Sequence, residues 1–192
     1  FWEADANFFD MNGQTVQYYL QEGEYFLITD EGQTITLRSE TFTVAGDGII
    51  SFKFGIAKNA VSYVALCDAQ TDGELLKVDN TAYFNDPLTA QVMLRRFMYA
   101  HPYMGREVYL KIVDGATSDF GFLNFDDLSI NLTLDGAQAI VDADKTWAAD
   151  YRQDVIDSTA EMGARPKEII NAIRSYYANL ALDDISAVTI VT

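Results

Sequence analysis

The side chains best able to do chemistry crowd one stretch of the chain. Asp114-Gly115-Ala116-Thr117-Ser118-Asp119-Phe120-Gly121 is followed at once by Asn124-Phe125-Asp126-Asp127. Carboxylate and amide oxygens at this density suit a hard cation such as calcium, or hydrogen bonds to a hydroxylated ligand. The first half reads as a turn after an apolar strand, where Asp114 and Asp119 serve equally well as turn caps. The second half reads as a strand entrance. Neighbours on a strand face opposite sides, so alternation allows at most one of Asp126 and Asp127 to point toward a core. A carboxylate buried there requires a cation or several N–H donors. Asp126 is therefore the candidate metal ligand, calcium the candidate cofactor, and Glu24 and Asp47 the candidate partner ligands, with Asp30 a further option.

Aromatic residues are the second chemical feature. The chain has 11 Tyr and 12 Phe, and Phe1, Trp2, Phe8, Phe9, Tyr18, Tyr19, Tyr25 and Phe26 crowd its first 26 residues. An exposed ring offers a flat apolar platform for the C–H face of a sugar, with acidic and amide groups binding the hydroxyls. Most aromatics fill cores instead. Trp2 and Tyr83 lie in turn-rich stretches, as do Tyr18, Phe84 and Phe120. Arg95-Arg96 is the only adjacent basic pair, and a planar guanidinium can bind a diol in bidentate fashion. Trp2, Tyr83, Arg95 and Asp119 are the candidate ligand-binding residues. For Arg95, an ordinary solvated strand edge is the competing reading.

Other chemistries find little support. Cys67 sits in an apolar strand run with no basic neighbour, which predicts a buried, inert thiol. His101, the only histidine, precedes Pro102 in a loop. There is no Gly-x-Ser-x-Gly elbow, no Gly-x-Gly-x-x-Gly turn and no Walker loop. Any two of 29 acidic residues could form a glycosidase pair, but no spacing favours one. No catalytic residue is assigned.

The chain has 192 residues, 49% of them apolar, which is ample for a packed core. Its 13 basic and 29 acidic residues leave a formal charge of −16. That balance argues against nucleic acid, which needs a basic face, and against charge-driven binding to anionic membranes. No apolar run reaches the roughly 18–20 residues a spanning helix needs. One cysteine cannot form an internal disulfide. The chain opens on Phe1-Trp2 with no Met and no basic leader, as expected of a piece excised from a longer protein.

Two regimes must position these groups. Residues 1–134 read as short strands between turns. Ile35 and Leu37, Phe42 and Val44, Ile50, Phe52 and Phe54, and Leu128, Ile130 and Leu132 each alternate with polar neighbours. Further strands are expected at 63–67, 75–78, 92–98, 108–113 and 122–132. Asp72-Gly73, Asn85-Asp86-Pro87, Met104-Gly105 and Asp114-Gly115 punctuate them. About eight strands with no helical period among them predict a mainly β fold, an antiparallel β-sandwich or jelly roll. Residues 135–192 read as a helical extension. Ile140, Trp147, Tyr151 and Val155 share one helical face, with Asp135 the expected N-cap. Gly163 and Pro166 break the pattern, and Ile169, Ile170, Ile173, Tyr176, Tyr177 and Leu180 form a second stripe. Residues 185–191 read as a closing strand. This hairpin is expected to dock on the sandwich or continue toward a next module.

Several runs in this order carry a resemblance. They are Leu37–Val44, Gly46-Asp47-Gly48-Ile49-Ile50-Ser51-Phe52-Lys53-Phe54-Gly55, Tyr63–Asp68, Thr71–Leu76, Gly105–Asp114, and Phe120-Gly121-Phe122-Leu123-Asn124-Phe125-Asp126-Asp127-Leu128. Together they resemble the galactose-binding-like jelly-roll modules attached to bacterial secreted glycoside hydrolases, nearest those of the family 32 type. The resemblance spans roughly residues 24–132. It implies a non-catalytic, extracellular carbohydrate-binding or accessory module, often with a structural calcium, which would fit Asp126. Phe120-Gly121 stands where many relatives carry Trp-Gly, and the helical tail has no counterpart in the module. The expected function is weak carbohydrate binding within a larger extracellular or cell-surface protein, beside neighbouring domains of the same chain. The alternative is a structural spacer or interaction domain with no ligand of its own.

Overall fold

The computed structural model describes residues 2–4, 8–11, 14–17, 20, 22, 25–30, 32–56, 61–80, 92–117, 121–158, 164–182 and 189–190. Of these, 2–17, 150–158, 164–170 and 189–190 are described as backbone only. In chain order the strands are β1 (Trp2–Ala4), β2 (Phe8–Met11), β3 (Gln14–Gln17), β4 (Tyr25–Ile28), β5 (Ile35–Arg38), β6 (Phe42–Thr43), β7 (Ile49–Gly55), β8 (Tyr63–Asp68), β9 (Glu74–Asp79), β10 (Leu94–Tyr99), β11 (Glu107–Asp114) and β12 (Asn124–Leu132). Two helices, α1 (Leu134–Ser158) and α2 (Ala164–Ala178), precede a short β13 (Thr189–Ile190). One sheet runs β1-β4-β12-β7-β10, and the other β13-β9-β8-β11-β5 with β6 also on β11. β2 and β3 form a separate hairpin. The pairings are antiparallel, and the fold is a mainly β sandwich with a C-terminal helical hairpin.

The period-2 pattern decides what each strand buries. On β7, Ile50, Phe52 and Phe54 turn inward and meet Val64, Leu66, Val108, Leu110 and Phe125. The rings of Phe52 and Phe125 stack with centroids 5.3 Å apart. The opposite side of the same sheet is also covered. Ile49, Leu94 and Phe97 pack with Ala137, Val141 and Ala148 of α1 and Ile173 and Tyr177 of α2. The molecule is thus layered sheet, sheet, helix, and each layer buries the apolar stripe of the next.

The hairpin docks on the five-stranded sheet, and the chain end rejoins the other sheet. Thr189 and Ile190 of β13 pair with Lys77 and Leu76 of β9. Helix α1 starts two residues earlier than an Asp135 N-cap implies. Its N-cap is Thr133, whose Oγ1 accepts the Gly136 N–H at 3.1 Å, while Asp135 lies inside the first turn. Asp47 adds a second acceptor there, taking the Leu134 N–H at 2.7 Å. Gly48, at φ +72°, makes the turn that aims Asp47 at the helix. Tyr151, Val155, Ile169 and Ile170 belong to stretches described as backbone only. Among the described residues, no helix is long and apolar enough to cross a membrane.

Candidate functional site

One end of the sandwich collects the strand ends that matter. β4, β7, β9 and β11 finish there, and β5, β8, β10 and β12 begin there, as the registers Asp114↔Ile35, Val113↔Tyr63, Asn124↔Gly55 and Leu94↔Phe54 require. Two buried polar knots hold this rim. In the first, the Asp114 carboxylate accepts hydrogen bonds from the hydroxyls of Thr29 and Ser62 and from the Ala116 N–H. Thr29 Oγ1 accepts in turn from the Leu123 N–H at 2.7 Å, and Ser62 Oγ from the Gly115 N–H at 3.1 Å. Asp114 is 1% exposed, so these donors replace the water it gave up. In the second, the Asn80 amide donates to the Ile56 carbonyl and accepts from Arg96 Nη2 at 2.8 Å. The knots lace β4, β7, β8, β9, β10, β11 and β12 across both sheets.

The proposed ligand-binding residues distribute unevenly around this rim. Trp2 is opposite Leu27 on β4, and Leu27 is opposite Phe125 near the start of β12. Its backbone therefore lies close to the rim. Tyr83 and Asp119 fall outside the described residues. Their flanking strands do not: β9 ends and β10 begins at this end, as do β11 and β12.

Arg95 is placed differently from both sequence readings. It is neither a solvated edge residue nor open to a ligand, being 2% exposed. Opposite Lys53 on β7, it faces the helices. Its Nε donates to Asp144 Oδ2 at 2.8 Å, its Nη1 to Ser51 Oγ at 3.1 Å, and its Nη2 to the Asp127 carboxylate. Burial alone would favour the neutral form, but the two carboxylates outweigh it and hold the guanidinium charge more tightly than in water.

The proposed metal ligands do not converge in the described residues. Glu24 falls outside them. Asp47 sits beside Leu132, whose carbonyl accepts the Asp47 N–H, while Asp126 lies six residues earlier on β12. Two register shifts shorten that stretch: the β7 partners Lys53 and Ile49 are four residues apart, which at about 3.3 Å per residue is roughly 13 Å, still too far for one ion to bridge. Asp126 is opposite Lys53 in the sheet and accepts the Glu22 N–H at 2.7 Å. Lys53, itself 1% exposed, is the cation on hand: its Nζ donates to the Leu20 carbonyl at 3.1 Å and to the Glu22 carboxylate. No group of three or more metal-ligating side chains occurs among the described residues.

The alternation rule fails at Asp126-Asp127. Asp126 pairs with Lys53 but Ser129 with Ser51, so β12 carries an extra residue there. Asp127 takes φ +47° and turns its carboxylate to Arg95. Both carboxylates therefore face the helix layer rather than one facing each side.

Reasoning from sequence passed over Thr29, Ser62, Asn80 and Asp144. Only Asp144 left a signal, as a charge in the Ala137, Val141, Asp144, Ala148 stripe that faces the sheet. Cys67 is buried as expected, and burial pushes its thiol pKa up.

No protein-family model matches the chain, and no curated protein matches it.

Two outcomes test this geometry. Asp114→Ala should cost about 3 kcal/mol in urea unfolding, because three buried donors lose their acceptor, and Asp114→Asn should cost less. A loss below about 1 kcal/mol for the alanine variant would contradict the knot. The second concerns Asp126, whose pKa is raised chiefly by burial, with the Glu22 N–H and Lys53 pulling the other way. A carboxyl raised in the folded state holds its proton to higher pH than in the unfolded chain, so it weakens folding once ionised. Asp126→Asn should then be at least as stable as the parent at pH 7, with the gap closing as pH falls through the carboxylate range near about pH 4. A divalent ion on Asp126 would reverse that sign, and chelator would lower the parent's melting midpoint.

Proposed function

We propose that this chain is a non-catalytic carbohydrate-binding or accessory module of a larger extracellular protein. The observation that carries the reading is the rim. The Trp2 backbone lies near it, and the strands that flank Tyr83 and Asp119 end and begin on it. Two buried knots fix those strand ends in place, and a preset frame lowers the ordering cost of shallow recognition. The chemistry would be stacking of a sugar face on an aromatic ring, with carboxylate and amide oxygens accepting from hydroxyls. A dissociation constant of about 10⁻⁴ to 10⁻³ M fits such a surface, or about −4 to −5.5 kcal/mol.

One observation favours the alternative, a structural spacer or interaction domain. Leu128 and Ile130, two residues apart on β12, are 42% and 39% exposed, and Leu134 at the start of α1 is 55% exposed. Beyond Phe125 this strand has no partner on its β4 side among the described residues. That edge suits contact with a neighbouring domain.

A thermal-shift titration against galactose, galactans and fructans separates the two. A sugar at ten times its dissociation constant adds about 1.4 kcal/mol, which raises Tm by about 3–6 °C for a chain this size. Tyr83→Ala should abolish the shift without moving the unliganded midpoint. If no sugar moves Tm, the binding reading falls and the spacer reading stands.

A further inference from the structure

The helical hairpin carries a groove of its own, lined by none of the residues that form the rim. It lies between α1 and α2, with a volume of about 380 Å³, and is lined by Lys145, Ala148, Ala149, Asn171, Arg174, Ser175 and Ala178. The spacing explains the shape. Lys145, Ala148 and Ala149 are at i, i+3 and i+4 on α1, and Asn171, Arg174, Ser175 and Ala178 at i, i+3, i+4 and i+7 on α2, so each set shares one face. Three of the lining residues are alanines, which leave room between the longer polar side chains.

The charges in this groove are unusual for the chain. Acidic residues outnumber basic ones by more than two to one, and the net charge is −16. Yet neither Lys145 nor Arg174, both half-buried, has a carboxylate partner among the described residues. Two of the described carboxylates on α1 have partners of their own. Asp142, one turn before Lys145, accepts from Gln138 Nε2 at 2.9 Å, and Asp144 is held by Arg95. Two cations from two helices converge on a pocket that also offers an amide and a hydroxyl. A guanidinium, an ammonium, an amide and a hydroxyl together match an oxyanion carried on a hydroxylated body.

We propose that the α1–α2 groove binds a small hydroxylated oxyanion, a carboxylate- or phosphate-bearing molecule held between Lys145 and Arg174. Its volume sits at the small end of ordinary ligand pockets. Asn171 and Ser175 would select the hydroxyls, and the chain's net charge of −16 would disfavour large polyanions such as nucleic acid. This site is independent of the sandwich rim, so failure of either leaves the other standing.

Amide NMR on the full chain at low salt tests it, with inorganic phosphate, galacturonate and galactose as probes. Phosphate or galacturonate should move the resonances of residues 145–149 and 171–178, and galactose should not. A response to galacturonate alone assigns the carboxylate source, and a response to phosphate the phosphate source. Lys145→Gln and Arg174→Gln should each weaken binding about tenfold. About 0.5 M NaCl should weaken it further. Ala178→Leu, at an exposed position, should block the groove while leaving the melting curve unchanged, which covers the case of a charge variant that folds poorly. Shifts scattered over basic residues elsewhere, unchanged affinity in the variants, or no shift by about 50 mM ligand would overturn the proposal.

Discussion

A guanidinium buried between a sheet and a helix sets the terms for the rest of this molecule. Arg95 is in the wall between the five-stranded sheet and α1, where an uncompensated charge would cost several kcal/mol. It is compensated from three directions: Asp144 on α1, Ser51 on the neighbouring strand, and both the carboxylate and carbonyl of Asp127. Each partner imposes a structural demand. Asp144 must sit in the otherwise apolar stripe of α1, which fixes the helix in rotation and register against the sheet. Asp127 must leave regular strand geometry, and it does so through the bulge at φ +47°.

The neighbouring residues extend this constraint. Lys53, opposite Arg95, has its Nζ 5.4 Å from the centre of the Trp147 ring, adding a second cation under α1. Arg96, next along β10, donates to the Tyr176 hydroxyl of α2 at 2.7 Å and to Asn80 at the rim. The Tyr176 hydroxyl donates to the Arg95 carbonyl. One strand thus joins the helix layer to the end of the sandwich proposed to meet a ligand. The solvent side of the other sheet uses the same chemistry more loosely. Arg38 lies 3.6 Å over the Tyr109 ring and Lys77 4.1 Å over Tyr63, so cations roof these tyrosines rather than leaving them open as platforms.

Much of the fold was legible in the sequence because it follows from local periods. Phe52 and Phe54 alternate with Ser51 and Lys53, and the strand they form buries both rings between the sheets. Ile173, Tyr176, Tyr177 and Leu180 keep helical spacing, and their helix packs with that stripe inward. What stayed hidden depends on contacts between distant residues. Lys53 and Arg95 occupy outward strand positions, which read as solvent-facing until a third layer covers them. The partner of Arg95 is 49 residues away, and nothing local announces it. The Asp126-Asp127 pair misled for a related reason, since strand alternation cannot foresee a bulge. At the candidate site, the turn-capping reading of Asp114 was local and partly right, because it accepts the Ala116 N–H. Its bonds to Thr29 and Ser62 cross the sandwich and left no trace in spacing.

The central claim is that Arg95 and Asp144 act as one unit in seating the hairpin on the sheet. A double-mutant cycle in chemical denaturation tests it directly, using Arg95→Met, Asp144→Leu and the double variant. Arg95→Met strands the buried Asp144 carboxylate and should lose about 3–5 kcal/mol, whereas Asp144→Leu leaves Arg95 its Asp127 partner and should lose less. The double variant should lose clearly less than the sum, with a coupling of about 1.5–3 kcal/mol. Additive losses would contradict the account, because they would mean that the guanidinium and the carboxylate stabilise the fold independently.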